Sequence, residues 1–333
     1  MPAVSVITPA FNAAGFIRDT LDSVRAQTFD DWEILVIDDG STDRTVEIVE
    51  EYRERDRRIK LLRQANRGPS AARNEGMRHA SGTFVTFLDS DDTWDPEYLS
   101  SQLEVFNLYP ETDLVTGVAR FRGGARDRRP MRPFTPGHPV LSLRDIIADD
   151  TAVFIMTIFR RTVFEAIGGM DESQWRSEDY DFWLRAAVAG FVFRRNSRPL
   201  GRYRVREGSL SQNTVDMLRG ILQSYAKVAP SCQPGTPERE ALDAQVARFE
   251  EQLLLSEAKL ALERGAYTEA ADHLRSLYSR GGGPLIGVTA WLAEHAPGAA
   301  VFAYRMRHVR RHVREYARRF RRRAARAPEV RAA

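Results

Sequence analysis

The sequence of 333 residues contains one cysteine, three lysines and no apolar run long enough to span a membrane without interruption. With Cys232 as the single thiol, the chain can form neither a disulfide framework nor a thiolate metal cluster, which fits a reducing compartment. The most apolar stretch, residues 284–304, is broken by Glu294 and Pro297, which argues against a transmembrane helix. The N-terminus, MPAVSVITPAFN, lacks the basic segment that starts a secretory signal. We therefore expect a cytoplasmic protein.

The charge of the chain is unevenly distributed. The formal net charge is +3, yet residues 305–326 contain eleven arginines and one glutamate, so the rest of the chain is net acidic. Apolar residues recur in this tail at spacings of three and four: Met306, Val309, Val313, Tyr316 and Phe320. The pattern predicts a basic amphipathic helix, which we expect to bind an anionic membrane surface from the cytoplasmic side. The alternatives are a solvated helix docked by its apolar stripe and a nucleic-acid-binding arm.

Strand-like and helical patterns alternate over the first hundred residues. The strand-like segments are residues 3–11, 32–40, 58–64 and 82–88, and the helical patterns are residues 14–28, 43–56 and 71–81. This order is typical of an α/β fold with three layers, in which a mostly parallel sheet is covered on both faces. Further strands are expected within 111–122, 151–160 and 201–213.

Aspartates follow two of the predicted strands. Asp38 and Asp39 end the second strand, and Asp89 and Asp91 come directly after the fourth. Because the carboxyl ends of parallel strands meet at one edge of a sheet, where ligands collect, we expect these carboxylates to share one site. The stretch FLDSDDTWDPEY holds four aspartates within seven residues, and the pair Asp89 and Asp91 could present oxygens to a hard divalent cation. Asp95 precedes Pro96 and is predicted to cap the next helix.

Two further motifs carry charged groups with catalytic potential. In NRGPSAARNEG, residues 66–76, a helix N-terminus offers free N–H groups to phosphate, and Arg73 could clamp a diphosphate or contact a base. Glu178 and Asp179 open an amphipathic helix in SEDYDFWLR, where one of them could act as a general base. Solvated helix positions are the alternative for all three residues.

In order and spacing, five motifs resemble those of family-2 glycosyltransferases, which have the GT-A fold of nucleotide-diphospho-sugar transferases. They are VSVITPAFN (4–12), ILVIDDGSTD (34–43), NRGPSAARNEGMRHASGTFVTFLDSDD (66–92), FRRTVFEAIGGMDE (159–172) and SEDYDFWLR (177–185). The resemblance covers roughly residues 3–213. It implies transfer of a sugar from a nucleotide-diphospho-sugar, UDP- or dTDP-linked, to an acceptor hydroxyl. It also implies inversion at the anomeric carbon and a place in cell-surface glycan or polysaccharide biosynthesis, with a glycan or lipid-linked acceptor.

The resemblance also implies roles for individual residues. The nucleoside pocket would be lined by Pro9, Phe11, Asp38 and Asp39, and Arg73 would contact the base or diphosphate. Asp89 would face the ribose or sugar, and Asp179, with Glu178 beside it, would be the catalytic base. Asp91 would bind Mg²⁺ or Mn²⁺, with Asp89 as a second candidate ligand.

One position departs from the family pattern. Many relatives carry a histidine after the last strand that can complete the metal shell, whereas YRVREGSLS (203–211) places Arg206 there. A guanidinium cannot ligate a metal ion, so Arg206 is predicted to neutralise diphosphate charge instead. The sequence therefore specifies the fold more clearly than it specifies whether the activity depends on a metal ion.

Two other functions remain open at this point. The pattern Asp89-Ser-Asp91-Asp-Thr also fits the nucleophile loop of haloacid-dehalogenase-type phosphatases, in which the first aspartate attacks phosphorus. Those enzymes use the first strand of their fold and a downstream lysine, and the lysines here, Lys60, Lys227 and Lys259, fall in no suitable loop. A non-catalytic sugar-nucleotide-binding protein is the second alternative.

The chain is expected to have three parts. Residues 1–215 form the catalytic domain, residues 216–300 a helical region, and residues 301–333 the basic tail. In the helical region, AKLALERGAYTEAADHLRSLY (258–278) has two helical patterns around Gly265, as in one tetratricopeptide-like unit. One such unit cannot bury its own apolar face, so it is expected to pack on the catalytic domain or on a second copy of the chain.

Overall fold

The computed structural model describes residues 1–174, 176–205 and 214–301. The chain forms two compact units, Met1–Phe249 and a second unit that starts at Glu250. The helix Thr214–Val228 begins at the predicted domain boundary and belongs to the first unit. The division into three parts stays a prediction.

The described part of the first unit contains a large sheet of eight strands and a small sheet of three. The strands are β1 (Val4–Ala10), β2 (Trp32–Asp38), β3 (Ile59–Arg63), β4 (Phe84–Phe87), β5 (Thr93–Trp94), β6 (Leu114–Thr116), β7 (Ala119–Arg122), β8 (Val140–Leu141), β9 (Thr157–Arg160), β10 (Phe193–Arg195) and β11 (Gly201–Arg204). The large sheet has the order β3-β2-β1-β4-β9-β6-β10-β8. Strands β3, β2, β1 and β4 are parallel to one another, β9 runs antiparallel to both of its neighbours, and β8 pairs antiparallel with β10. The predicted α/β fold with a mostly parallel sheet is confirmed.

Helices connect these strands. They are α1 (Ile17–Arg25), α2 (Thr45–Arg55), α3 (Pro69–His79), α4 (Tyr98–Leu108), α5 (Leu143–Ala148), α6 (Arg161–Ile167), α7 (Glu178–Val188) and α8 (Thr214–Val228). Helix α1 buries Ile17, Leu21 and Val24, the residues whose spacing predicted it. Helix α3 lies close to β1, because a Cβ on Gly76 would come 2.4 Å from Ile7 Cγ2. A glycine at this position therefore brings α3, and Arg73 with it, down onto the sheet.

The structure corrects two local predictions. The predicted strand 111–122 is two strands, since β6 pairs with β9 and β10 while β7 pairs with β11 in the small sheet. Asp95 does not cap α4, which begins at Tyr98 without a side-chain cap. The Asp95 carboxylate instead accepts a hydrogen bond from Arg202 Nε at 2.6 Å. An arginine distant in sequence therefore outcompetes the local capping interaction that the motif favours.

An aromatic cluster lies between the sheet and α7. The ring of Phe87, at the end of β4, is 5.5 Å from Phe159 and 6.3 Å from Trp183, measured between centroids. Trp183 and Phe159 are 5.8 Å apart, and all three side chains are fully buried. Aromatic contacts of this kind stabilise by about 0.5–1.5 kcal/mol each beyond the area they bury. They tie β4, which ends two residues before Asp89, to the helix that starts at Glu178.

Helices make up the described part of the second unit. Helix α9 (Pro237–Arg264) extends into it from the first unit, and α10 (Tyr267–Ser279) and α11 (Pro284–His295) follow. Gly265, at φ +77°, separates α9 from α10; the tetratricopeptide-like unit around it stays a prediction. Small residues pack these helices together: Ala261, Ala270, Ala271, Ala293 and Ala300 are all fully buried. The predicted basic tail comprises residues 301–333, and of these residues 302–333 lie outside the described residues.

Candidate active site

The carboxyl ends of three neighbouring strands meet at one edge of the large sheet. The register pairs Ala10 of β1 with Asp38 of β2, and Ile7 of β1 with Phe87 of β4. Pro9 lies in β1, and Phe11 follows it with half of its surface exposed. Asp89 and Asp91 follow β4 at the same edge. The structure thus brings the sequence-predicted nucleoside and metal residues together along one edge, as parallel pairing requires.

Asp38, the last residue of β2, and Asp39, which follows it, are both buried and hydrogen-bonded by the protein. Asp38 accepts a hydrogen bond from the Ser41 amide, and its second oxygen lies 3.6 Å from Arg63 Nε. Both oxygens of Asp39 are engaged: Oδ1 accepts from Gln64 Nε2 and the Arg67 amide, and Oδ2 accepts from the Gly68 amide at 2.8 Å. Asp39 therefore orders the loop that leads into α3. Contact of either aspartate with a nucleoside stays a prediction.

Arg73 connects the end of β4 to the start of α7. Its Nη2 donates to Asp89 Oδ1 at 2.7 Å and its Nη1 donates to Glu178 Oε1 at 2.6 Å. The side chain is only 6% exposed, and its guanidinium carbon lies 5.9 Å from the Phe87 ring centroid. Burial opposes the charge, but the carboxylates of Asp89 and Glu178 outweigh it and hold the pKa of Arg73 above its ordinary value. Arg73 is thus a permanent cation between two carboxylates.

Asp179 follows Glu178 in the first turn of α7. Ser177 precedes them in the left-handed region, at φ +56°, and its carbonyl accepts a hydrogen bond from Gln174 Nε2 at 3.0 Å. Unfavourable backbone conformations of this kind are concentrated at functional sites, where they hold neighbouring side chains in a fixed direction. Burial and the adjacent charge of Glu178 raise the pKa of Asp179 to about 7, with Arg73 opposing the shift. A carboxyl with this pKa can take and release a proton near neutral pH.

The turn after β4 is anchored from two sides. The Thr20 hydroxyl donates to the Asp92 carbonyl at 2.8 Å, and Arg204 Nε donates to the Asp91 carbonyl at 2.8 Å. The Arg204 amide donates to Asp92 Oδ1 at 2.7 Å, while Arg204 Nη2 pairs with Asp19. Burial, together with the charges of Asp89 and Asp91, raises the pKa of Asp92 well above its ordinary value. Asp92 therefore belongs to the support of the turn, and Asp89 and Asp91 remain as the carboxylates of the site.

The carboxylates of this turn supply some, but not all, of the oxygen ligands that a hard cation needs. No group of three or more His, Cys, Asp or Glu side chains in the described residues is placed to hold a metal. Mg²⁺, however, is commonly bound by one or two carboxylates, with phosphate oxygens and water completing the shell. Asp89 and Asp91 supply two carboxylates on a turn whose backbone is fixed. Arg206, the departure from the family pattern, lies outside the described residues, so its part in the charge balance stays a prediction.

A cavity of about 820 Å³ opens beside these residues. Arg73, Asp89, Glu178 and Asp179 all line it. The rest of its wall comes from β7, the loop 150–155, β11 and α8, including Phe121, Phe154, Tyr203, Met217 and Ile221. The volume lies within the usual range of small-molecule sites. The predicted base and the predicted sugar-facing aspartate therefore share one chamber.

Two supporting groups of the site were not predicted from sequence. Thr20 lies 69 positions before Asp89, and Arg204 lies 115 positions after it. Arg204 stands in the same YR motif as Arg206, two places before it. That motif was the only signal that could have pointed to it. The contact of Arg73 with Glu178, across 105 residues, was also missed.

The chain is similar to known proteins both in sequence and in structure. Residues 5–168 match the family model described as glycosyl transferase family 2. TuaG of Bacillus subtilis, named as a glycosyltransferase of teichuronic acid biosynthesis, is 33% identical over 214 residues, which cover 64% of this chain and 82% of TuaG. EpsH of the same organism, named as a glycosyltransferase, is 43% identical over 114 residues but covers only 34% of this chain and 33% of its own length.

Solved structures show the same fold at low sequence identity. TarS 1–349 of S. aureus, in complex with UDP-GlcNAc, superposes with a TM-score of 0.63 at 22% identity, covering 82% of this chain and 80% of that one. The mannosyltransferase PcManGT of Pyrobaculum calidifontis, in complex with GDP-Man and Mn²⁺, has a TM-score of 0.59 at 21% identity, covering 89% and 81%. The sequence match to glycosyltransferases argues against the phosphatase alternative, and the solved structures show that the fold is shared.

Proposed function

The chain belongs to glycosyl transferase family 2, and from this premise we propose that Asp179 is the base with which it transfers a sugar, with inversion, from a nucleotide-diphospho-sugar to an acceptor hydroxyl. The observation that carries the proposal is the position of Asp179 in the cavity, next to Asp89, Arg73 and Glu178. A pKa of about 7 suits a group that must take a proton from a hydroxyl at neutral pH.

The reaction needs one displacement. Asp179 accepts the proton of the acceptor hydroxyl as its oxygen bonds to the anomeric carbon, and the bond from that carbon to the diphosphate oxygen breaks. Arg73 keeps Asp89 fixed toward the donor sugar and offsets the negative charge beside the base. Asp91, with Asp89, would hold a divalent cation, which when bound stabilises the negative charge on the leaving diphosphate.

The donor class is supported by proteins with the same fold. TarS is solved with UDP-GlcNAc and PcManGT with GDP-Man and Mn²⁺. We place UDP-sugars first and dTDP-sugars second, and we place the acceptor in a cell-surface polysaccharide pathway because TuaG is named for teichuronic acid biosynthesis. A lipid-linked or free glycan would supply the hydroxyl.

Donor and cation are expected to stabilise the protein together. A nucleoside diphosphate present at 100 times its Kd adds about 2.7 kcal/mol to the free energy of unfolding, which thermal unfolding detects. We expect UDP to raise Tm in the presence of Mn²⁺ and to lose most of this effect with EDTA. An Asp91→Asn variant should show the EDTA result even with Mn²⁺ present. Stabilisation by UDP that is indifferent to both changes would contradict the cation proposal.

Activity is expected to rise with pH through neutrality. Asp179 works in its ionised form, so protonation below its pKa of about 7 removes the base and lowers kcat/KM. The profile of kcat/KM against pH should therefore climb about tenfold per pH unit on the acid side and level off above about pH 8. Initial rates between about pH 5 and 9, in buffers of equal ionic strength, measure it. A profile that is flat across neutrality would exclude Asp179 as the titrating base.

We also propose a peripheral attachment to anionic membranes through the basic tail, residues 301–333. No helix in the described ranges is both long enough and apolar enough to cross a bilayer. The support is compositional, since each basic residue near an anionic surface contributes about 1 kcal/mol. The full chain should float with vesicles rich in anionic lipid, and a variant without residues 301–333 should stay at the bottom of the gradient. Equal flotation of both would refute the attachment, and a homo-oligomer stays a separate prediction that sedimentation can test.

A further inference from the structure

Asp179 and Asp89 form only part of the cavity wall. Its lining includes Arg73, Asp89 and Asp179, but none of the four residues predicted to line the nucleoside pocket: Pro9, Phe11, Asp38 and Asp39. If the proposed function holds, the nucleotide lies outside the cavity and the transferred sugar reaches its edge. The remaining wall then faces the acceptor.

That wall is aromatic. Phe121 of β7 and Tyr203 of β11 meet edge to face, with centroids 6.3 Å apart, and Phe154 meets Tyr203 in the same manner at 5.9 Å. All three side chains line the cavity. Aromatic rings placed in a pocket bind apolar faces, and the C–H face of a sugar ring is such a surface. The wall therefore suits a pyranose ring better than a flexible polar chain.

One cation on the wall has no carboxylate partner among the described residues. The guanidinium carbon of Arg126 stacks over Phe121, 4.0 Å from the ring centroid, and Arg126 is an exposed residue of the cavity lining. Other arginines of the lining are neutralised: Arg73 pairs with Asp89 and Glu178, Arg132 with Asp149, and Arg204 with Asp19. Among the described residues no carboxylate forms an ion pair with Arg126, although Asp150 also lines the cavity.

The position of Arg126 is built into the backbone. Gly123 and Gly124, at φ +88° and +68°, turn the chain back after β7, a conformation that other residues rarely adopt. The returning strand is then held by hydrogen bonds from the Arg128 amide to the Phe121 carbonyl at 2.7 Å and from the Phe121 amide to the Arg129 carbonyl at 2.9 Å. The backbone conformation of this turn therefore places Arg126 at the cavity wall.

We propose that Phe121, Phe154, Tyr203 and Arg126 form an acceptor subsite for a sugar that carries an oxyanion, a phosphate ester or a carboxylate. The inference rests on the proposed function and names its acceptor class. The guanidinium binds two oxyanion oxygens in parallel, and the aromatic rings hold the sugar ring beside it. The reactive hydroxyl of this acceptor lies toward Asp179, and the anionic group lies at the opposite end of the sugar.

Three matched probes test the subsite: methyl glucoside, methyl glucuronide and methyl glucoside 6-phosphate, which differ only at carbon 6. Their dissociation constants are measured by calorimetry on the full chain saturated with UDP and Mn²⁺. At least one anionic probe should bind about tenfold or more tightly than the neutral one, as a charge-assisted pair provides. The stronger of the two anionic probes identifies the phosphate or carboxylate source.

Two arginine variants separate a specific contact from general charge attraction. Arg126→Gln should abolish the preference for the anionic probe and leave the neutral probe unchanged. Arg129→Gln removes the same charge from an exposed position of the same loop outside the cavity lining and should preserve the preference. Equal losses in both variants, or no preference in the wild type, would overturn the inference.

The outcomes also separate this inference from the proposed function. Stabilisation by UDP and Mn²⁺ and slow hydrolysis of a UDP-sugar do not involve Arg126. If both persist without any preference for anionic probes, the acceptor inference alone fails. If no nucleoside diphosphate stabilises the protein, the proposed donor chemistry fails first.

Discussion

An Asp179→Asn variant is expected to turn over about 10²- to 10⁴-fold more slowly than the wild type while it binds the donor almost as tightly. The amide keeps the size and shape of the carboxyl but cannot take a proton from the acceptor hydroxyl. Donor binding depends on Asp89, Asp91 and the nucleoside residues, which this change leaves in place. Single-turnover rates with saturating donor, together with nucleotide binding by calorimetry, measure the two effects separately.

The same variant should unfold at the same temperature as the wild type or higher. Folding raises the pKa of Asp179 from its ordinary value to about 7, so between these two values the folded state binds a proton that the unfolded chain releases. The stability that this group contributes is greatest at acid pH and is lost as pH rises toward 7. Asparagine carries no charge and escapes that loss. Reduced turnover in a protein with undiminished Tm therefore cannot be attributed to unfolding.

Glu178→Gln is the matched control for the choice of base. It removes the adjacent negative charge that raises the pKa of Asp179, so the acid limb of the pH–rate profile should move to lower pH. Some donor affinity should also be lost, because Arg73 loses one of its two carboxylates. If Glu178→Gln abolishes turnover and Asp179→Asn does not, the base is Glu178.

The edge where the strands end was predictable, because it depends on local pattern and on a general rule of parallel sheets. Asp38 and Asp89 come at the ends of apolar runs. The carboxyl ends of parallel strands lie at the same edge of the sheet, whatever path the connecting helices take. The predicted order of strands and helices up to β4 agrees with the structure for the same reason. What such patterns cannot specify is which side chains touch across the edge.

The contacts that organise the site join distant parts of the chain. Arg73 meets Glu178 across 105 residues, and Arg204 meets Asp91 across 113. Neither contact depends on the spacing of apolar residues along the chain, so no pattern in the sequence indicates either of them. Asp95 is the converse case. Its local motif predicts a helix cap, but its carboxylate accepts a hydrogen bond from the distant Arg202. The contact of Arg126 with Phe121 is likewise not indicated by any pattern in the sequence.

Replacing Arg73 by methionine is expected to lower the free energy of unfolding by about 3–5 kcal/mol at neutral pH. The apolar side chain fills much of the same space but leaves Asp89 and Glu178 without their shared cation. Glu178 is 12% exposed and Asp89 30%, so water compensates the lost pairing only in part. The carboxylates must then be protonated or repel each other and Asp179. Urea unfolding at pH 7, followed by circular dichroism, measures the loss.

The pH dependence of this loss distinguishes charge from packing. In acid, protonation of the carboxylates removes the unpaired charge, so the difference between wild type and Arg73→Met should shrink as pH falls from 7 toward 4. Arg67→Met is the matched control, because Arg67 lies just before α3 and pairs with Glu172 while 52% exposed. An exposed pair contributes about 0–1 kcal/mol, so this variant should differ little from wild type at any pH. A loss in Arg73→Met that is independent of pH would mean that the guanidinium acts by filling space, and that the ion pairs with Asp89 and Glu178 contribute little to the stability of the site.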